Sequence, residues 1–218
     1  MASRPVFVVT DSCPYFQKVD TEFTFCPGFS VQQKKRCIGN LHTAYEAHNN
    51  EKKILEISRA SDVPLGVALS AFNLMIVQKN GITYSVESAF QSSKCFEKGG
   101  PYKDILQKNS LEAKRDPRLK ESGALTGFRI SGMDFPLNPP TYFYDWLYVN
   151  ALYGHPEFHE ELLEYDAFTD IMFNPGKQIN CQAQSVAIFC SLYKADKLEL
   201  ALKSREQFLE VVSYNSKK

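Results

Sequence analysis

Tyr84-Ser-Val-Glu-Ser-Ala-Phe-Gln-Ser-Ser-Lys-Cys-Phe96 is the stretch around which the chain is organised. It follows an Asn80-Gly81 turn signal, and its pattern predicts a helix from Tyr84 to Phe96. At helical spacing Glu87, Gln91 and Lys94 fall at i, i+4 and i+7 and share one face. Val86, Phe90 and Phe96 fill much of the remainder, which predicts burial. A carboxylate, an amide and an amine on one stripe of an apolar helix are costly unless partnered. Periodicity alone favours the plainer reading, an exposed face with pairings worth about 0.2–0.5 kcal/mol each. In a cleft, Glu87 would instead serve as acid, base or electrostatic stabiliser, and a desolvated Lys94 as an amine nucleophile.

Upstream, Pro5–Thr10 and Val19–Phe25 read as strands, β-branched in the first and alternating in the second. Ser30 is placed to cap a helix through His48, stopped by Asn49-Asn50. Ile54–Ser58 reads as a short strand, and Leu74–Val77 as the first arm of a hairpin turning at Asn80-Gly81. Downstream, Gly99-Gly-Pro101 breaks the chain before a short helix, Tyr102–Gln107. Residues 121–141 read as loop with a little strand. Thr141 is expected to cap a Tyr/Trp-rich helix, Tyr142–Tyr153, and Pro156 to start another that runs to Glu164. Residues 168–177 read as a loop, Ile179–Tyr193 as a buried helix, and Lys197–Val212 as an amphipathic closing helix. The expected fold is one compact domain, mainly α with a few short N-terminal β-strands.

The 218 residues suffice for a sizeable core, and 44% apolar with 23% charged residues marks an ordinary globular chain. Lys+Arg and Asp+Glu both number 25, so tight, purely electrostatic binding to nucleic acid is not implied. Cys13, Cys26, Cys37, Cys95, Cys181 and Cys190 show no C-x-x-C spacing, which argues against zinc and fits free thiols in a reducing cytosol. No signal pattern and no apolar run of about 18 residues is present, so a cytoplasmic location without a membrane partner is expected. No P-loop, G-x-S-x-G or G-x-G-x-x-G occurs, and no cofactor is expected.

Other candidates carry plain alternatives. The run Ala113-Lys-Arg-Asp-Pro-Arg118 reads first as a solvated turn and second as a phosphate clamp through Arg118. Gln32-Gln-Lys-Lys-Arg36 reads first as helix surface, given the neutral net charge, and second as a contact to a nucleic-acid backbone. The aromatic run Tyr142, Phe143, Tyr144, Trp146, Tyr148 and Tyr153 is most often core, although Trp146 could stack on a base. His155 and His159 lack the order of a zinc helix and read as surface histidines. Asn174-Pro-Gly-Lys177, with Gln178 and Asn180, reads either as a plain turn or as a ligand cradle.

In order along the chain stand Leu69-Ser70-Ala71-Phe72, Asn80-Gly81, Glu87-x-x-x-Gln91-x-x-Lys94 and Ala113-x-x-x-x-Arg118. This order resembles the NADAR (YbiA-like) family, whose pattern runs Leu-Ser-Asn-Phe, an Asp/Asn-Gly turn, Glu-His-x-x-Gln-x-x-Lys, then Ala-x-x-x-Gly-Arg. The resemblance covers residues 67–192 as a core, with 1–66 as an N-terminal β/α extension and 193–218 as a closing helix. Gly28-Phe-Ser-x-Gln-x-Lys34 and Asn40-Leu-His42 further resemble the NADAR antitoxins paired with DarT-type DNA ADP-ribosyltransferases. Ala71, Ser88 and Pro117 depart from the pattern. The family's late second acid has no clear counterpart, Asp170 being the nearest acid, with Met172 nearest the expected place.

The resemblance implies N-glycosidic bond cleavage. The expected activity is removal of ADP-ribose from guanine bases in DNA, as antitoxin to a DarT-type enzyme. ADP-ribosylated DNA, ADP-ribose and the cognate toxin are the implied partners. Glycosidase action on ribosylamino pyrimidines of riboflavin synthesis, or non-catalytic ADP-ribose binding, are the alternatives. In that chemistry Glu87 and Lys94 are the catalytic candidates, with Lys94 either contacting phosphate or forming a Schiff base. Ser70, Phe72, Gln91, Arg118, Trp146, Asp170 and Lys177 are the substrate-binding candidates.

Overall fold

The computed structural model describes residues 1–28, 30–49, 52–78 and 80–213. Phe29 of the Gly28-Phe-Ser element and Asn50 of the expected helix stop lie outside them. In chain order the elements are β1 (Ala2–Val8), β2 (Gln17–Phe23), α1 (Val31–Glu46), β3 (Ile54–Glu56), α2 (Pro64–Ala68), β4 (Met75–Val77), β5 (Thr83–Ser85), α3 (Val86–Ser92) and β6 (Lys94–Phe96). Then follow α4 (Ser110–Lys114), α5 (Arg118–Glu121), β7 (Leu125–Ile130), β8 (Met133–Phe135), α6 (Tyr142–Tyr153), α7 (His159–Leu162), β9 (Ala167–Thr169), α8 (Gln182–Lys194), α9 (Leu198–Leu202) and α10 (Arg205–Val212).

Helices predominate, but strands are not confined to the N-terminal part as expected. A four-stranded sheet runs β2-β1-β9-β3, with β9 antiparallel to β1 and parallel to β3. Its strand β9 falls partly in the segment read as loop. All three of its residues are buried, and its ladder partners lie more than a hundred positions away, so no local pattern marks it. A second sheet pairs β4 with β5 around the Asn80-Gly81 turn, as the hairpin signal predicts. The third, β6-β7-β8, has β7 and β8 within the region read as loop with a little strand and takes β6 from the stretch read as helix.

The central helices α6 and α8 carry the core. Phe143, Leu147, Tyr148, Val149 and Leu152 of α6 are buried, as are Val186, Ile188, Phe189 and Leu192 of α8. Two of the α6 tyrosines hand their hydroxyl to a backbone carbonyl: Tyr148 donates to the Leu69 carbonyl, and Tyr142 to the Arg205 carbonyl at 2.6 Å. Asp145, fully buried, accepts from Ser185 Oγ at 2.6 Å and Gln184 Nε2 at 3.0 Å, which pins α6 to α8.

Caps follow the expectation at Ser30, where Oγ accepts from Gln33 N in a capping box, and fail it at Thr141. Thr141 is left-handed (φ 68°), so its hydroxyl cannot turn back onto α6 and instead accepts from Gln184 at 3.1 Å. The single closing helix is two, α9 and α10, with Ser204 capping the second through Gln207 N. His155 and His159 are not simply surface groups. His155 lies 2.6 Å from the Met75 carbonyl and 2.7 Å from Glu157, and His159 packs on Phe189 with a ring nitrogen 3.0 Å from the Leu152 carbonyl.

Gly66 has a packing reason. A Cβ there would meet the Glu56 carbonyl oxygen at 2.0 Å, so only glycine lets α2 lie against the end of β3.

Candidate active site

The predicted helix from Tyr84 to Phe96 is in fact a strand end, a two-turn helix and a second strand. Ser85 caps α3 through Ser88 N at 3.0 Å. Helix α3 stops because the Ser92 and Ser93 hydroxyls both fold back onto the Ala89 carbonyl, at 2.9 and 2.7 Å. The Ser93 carbonyl then accepts from Arg129 N of β7 at 2.7 Å, which commits the chain to the β6 ladder. Glu87 and Gln91 therefore share a helical face, while Lys94 reaches the same space from the first residue of β6.

All seven residues of α3 are buried, so the exposed-face reading does not hold. The stripe lines a cleft of about 710 Å³, ample for a dinucleotide-sized ligand. Ser70, Ala71 and Phe72 form one wall, tied to α3 by Glu87 N donating to the Ala71 carbonyl at 2.9 Å. Gln182, at the start of α8, accepts from Ala71 N at 2.7 Å and donates to the Ile57 carbonyl at 2.5 Å. It thus locks this wall to the loop that follows β3. Phe90, Phe128 and Tyr144 form the apolar side, and Asp170, Met172 and Phe173 come from the segment after β9. Val31, Met172 and Ile179 are lining residues that remain exposed, which gives the cleft an apolar rim.

Glu87 accepts from Gln91 Nε2 at 2.8 Å and lies 3.9 Å from Lys114 Nζ. The opposite atom of the same amide, Gln91 Oε1, is buried with no partner among the described residues. Turning the amide over would set its carbonyl against the Glu87 carboxylate, so the acceptor stays available to an N–H or O–H of a ligand. Lys94 has no ion pair among the described residues; its Nζ stands 4.8 Å above the Phe90 ring. Burial lowers its pKa, partly opposed by Glu87 and reinforced by Lys114. Asp170 is pushed the other way, up to about 8, by burial and by the neighbouring Glu56 carboxyl. An amine biased toward its neutral form and a carboxyl biased toward its protonated form face one cleft, the pattern expected where protons are moved.

Of the residues singled out from sequence, Ser70, Phe72, Glu87, Gln91, Lys94 and Asp170 come together here, and Arg118, Trp146 and Lys177 do not. Arg118 is tied by four hydrogen bonds to Asp104 and Asp116, and its guanidinium stacks 4.4 Å from the Tyr102 ring. These pairs hold the Asp116 carboxyl well below the usual range. Arg118→Ala is expected to lower the thermal midpoint by a few degrees while leaving ligand affinity unchanged, read by calorimetry and by titration with ADP-ribose. Trp146 packs on Phe135 at 4.9 Å beside a separate hollow. Lys177 sits in a turn closed by Asn174, whose neighbours Gln178 and Asn180 reach the cleft instead.

Three cations given no role in the site from sequence line it: Lys34 of α1, Arg59 after β3, and Lys114 at the end of α4. Arg59 lies 4.3 Å and Lys114 5.3 Å from the Phe72 ring centroid. Arg59 has no ion pair among the described residues. Lys114 belongs to the same basic run as Arg118, so the run contained a cleft residue at its other end. Arg59 has only its place after a strand to mark it.

Comparison with known families decides the affiliation. The family model described as DarT1-associated NADAR antitoxin matches residues 2–218. The chain belongs to this family. The match takes in the N-terminal strands and α1, whose Val31 and Lys34 line the same cleft as Glu87. No curated protein matches.

Proposed function

We propose that this NADAR protein is an ADP-ribosyl glycohydrolase that removes ADP-ribose from guanine bases in DNA, acting as antitoxin to a DarT-type transferase. The observation that carries the reading is the joint presence, in one cleft, of Glu87 with its Gln91 brace, a desolvated Lys94 without an ion pair among the described residues, and the high-pKa acid Asp170. Family membership supports the antitoxin role.

The bond to be cut joins the anomeric carbon of ribose to a guanine nitrogen. Asp170 protonates the sugar ring oxygen, which leaves the first carbon as a hydroxyl while the guanine nitrogen lone pair forms an iminium there. The neutral Lys94 amine adds there, the guanine amine leaves with a proton, and an imine to Lys94 remains. Glu87 takes a proton from water, which adds to that imine and releases ADP-ribose as its aldehyde, free to close again. One water is consumed, and the lysine is regenerated. Gln91 Nε2 orients Glu87, and Gln91 Oε1 accepts from a ribose hydroxyl.

Arg59 and Lys114, at the cleft wall beside Phe72, suit the diphosphate, since their donors are not consumed by strong carboxylate pairs. Arg59→Ala is expected to raise KM about tenfold with little change in kcat, and raised salt should mimic it. The exposed apolar rim of Val31, Met172 and Ile179 suits contact with an unstacked nucleotide. The substrate assignment is tested by presenting the purified protein with a guanine-ADP-ribosylated oligonucleotide and with a ribosylamino pyrimidine. Turnover of the oligonucleotide at least about 100-fold faster by kcat/KM is expected, a preference within the range that a site built around specific polar contacts provides. A preference for the small molecule would replace the reading.

A further inference from the structure

Glu56, at the end of β3, is 2% exposed and has no cation beside it among the described residues. Such a carboxyl is costly to bury unless its acceptors are filled. They are filled in a particular way. Oε2 accepts from Thr169 Oγ1 at 2.6 Å, Oε1 accepts from Ile171 N at 2.8 Å, and the Ser58 hydroxyl adds a third bond. Thr169 and Ile171 are the residues on either side of Asp170. One carboxyl thus grips the chain immediately before and after the acid that faces the cleft.

Behind Thr169 stands His42 of α1, with Nε2 2.9 Å from Thr169 Oγ1. Thr169 has one proton to give and gives it to Glu56, so its oxygen accepts from Nε2–H. Burial lowers the His42 pKa to about 4, so this ring is neutral and its tautomer is set by the chain of bonds. The order His42, Thr169, Glu56 runs from α1 through the segment bearing Asp170 to the end of β3.

We infer that Glu56, braced by Thr169 and His42, is the positioning residue for Asp170, fixing the backbone on either side of that carboxyl and so its place in the cleft wall. This rests on the glycohydrolase reading for its rate consequences but not for its titration. The groups facing Asp170 are Glu56 from β3, Tyr144 and Tyr148 from α6, and Cys181 and Gln182 at the start of α8. The two phenols and the thiol are themselves pushed to higher pKa by burial, which leaves them uncharged. Glu87, Lys94, Lys114, Arg59 and Lys34 line the same cleft. Glu56 is therefore the neighbour whose removal changes the charge next to Asp170 most.

Glu56→Gln keeps an oxygen for Ile171 N and an amide for Thr169 but removes the negative charge. Glu56→Ala removes both. The Asp170 carboxyl carbon, followed by NMR in the full chain, should titrate near pH 8 in the unaltered protein. In Glu56→Gln it should titrate lower by about one unit or more, as expected on removing a like charge. The alkaline limb of kcat for release of ADP-ribose from modified DNA should move down by the same amount, with KM unchanged. Glu56→Ala should lose most of kcat, and Glu56→Gln should recover part of it below the shifted limb. An Asp170 titration and a pH profile that are the same in Glu56→Gln as in the unaltered protein would overturn the inference. Absence of ADP-ribose release from the unaltered protein would defeat the glycohydrolase reading alone, because the NMR titration still decides the coupling.

Discussion

Lys94→Arg is expected to lower ADP-ribose release by about 10³-fold or more, the scale seen when a covalent nucleophile is removed. Arginine keeps the charge and much of the reach, so a lysine that merely touched phosphate would survive the change with a small loss. Arginine cannot form the imine. The environment favours the amine role: Nζ lies over Phe90, has no ion pair among the described residues, and is desolvated. The anionic part of the ligand has better seats in Arg59 and Lys114. Borohydride added during turnover should leave a reduced sugar adduct on Lys94, located by peptide mass spectrometry. A Lys94→Arg protein with near-normal kcat and no adduct in the unaltered protein would return Lys94 to an electrostatic role and leave Glu87 activating water directly on the anomeric carbon.

Glu87→Gln should cost about 10²–10⁴-fold in kcat, the usual contribution of a positioned general base. The substitution preserves size and the bond from Gln91 Nε2, and Glu87 N still binds the Ala71 carbonyl, so the fold should remain. Ligand affinity should fall little. Gln91→Ala is expected to fall between, since it removes both the brace on Glu87 and the unpartnered acceptor, raising KM as well as lowering kcat. Single-turnover release with each variant separates these effects.

Much of this cleft was legible in the order of residues, but not its shape. Glu87 and Gln91 were readable as one face because they lie on one short helix. Lys94 joined them for a different reason than periodicity gives. The helix ends at Ser92, and the strand pairing with β7 turns the lysine into the same space. The apolar residues predicted a buried helix, but whether its polar stripe faced solvent or a cleft was not legible, because that depends on α4, α6 and the Ser70–Phe72 wall packing around α3. Asp170 was nameable only as the nearest acid; its setting comes from β9, whose partners lie on distant strands. Arg118 fitted a phosphate-clamp pattern, yet Asp104 and Asp116 occupy its donors, and no sequence spacing reveals a partner chosen by tertiary packing. His42 and Lys34 were visible within family-like elements without roles, and their contacts place His42 behind Thr169 and Lys34 in the cleft lining.

The most direct measurement is time-resolved chromatography with mass detection on an oligonucleotide carrying ADP-ribose on guanine, mixed with the purified protein. Free ADP-ribose should appear stoichiometrically with restored, intact guanine in the oligonucleotide, and release should slow about 10²–10⁴-fold in Glu87→Gln. Persistence of the modified oligonucleotide with tight retention of ADP-ribose by the protein would contradict the glycohydrolase reading and make the cleft a binding site without turnover.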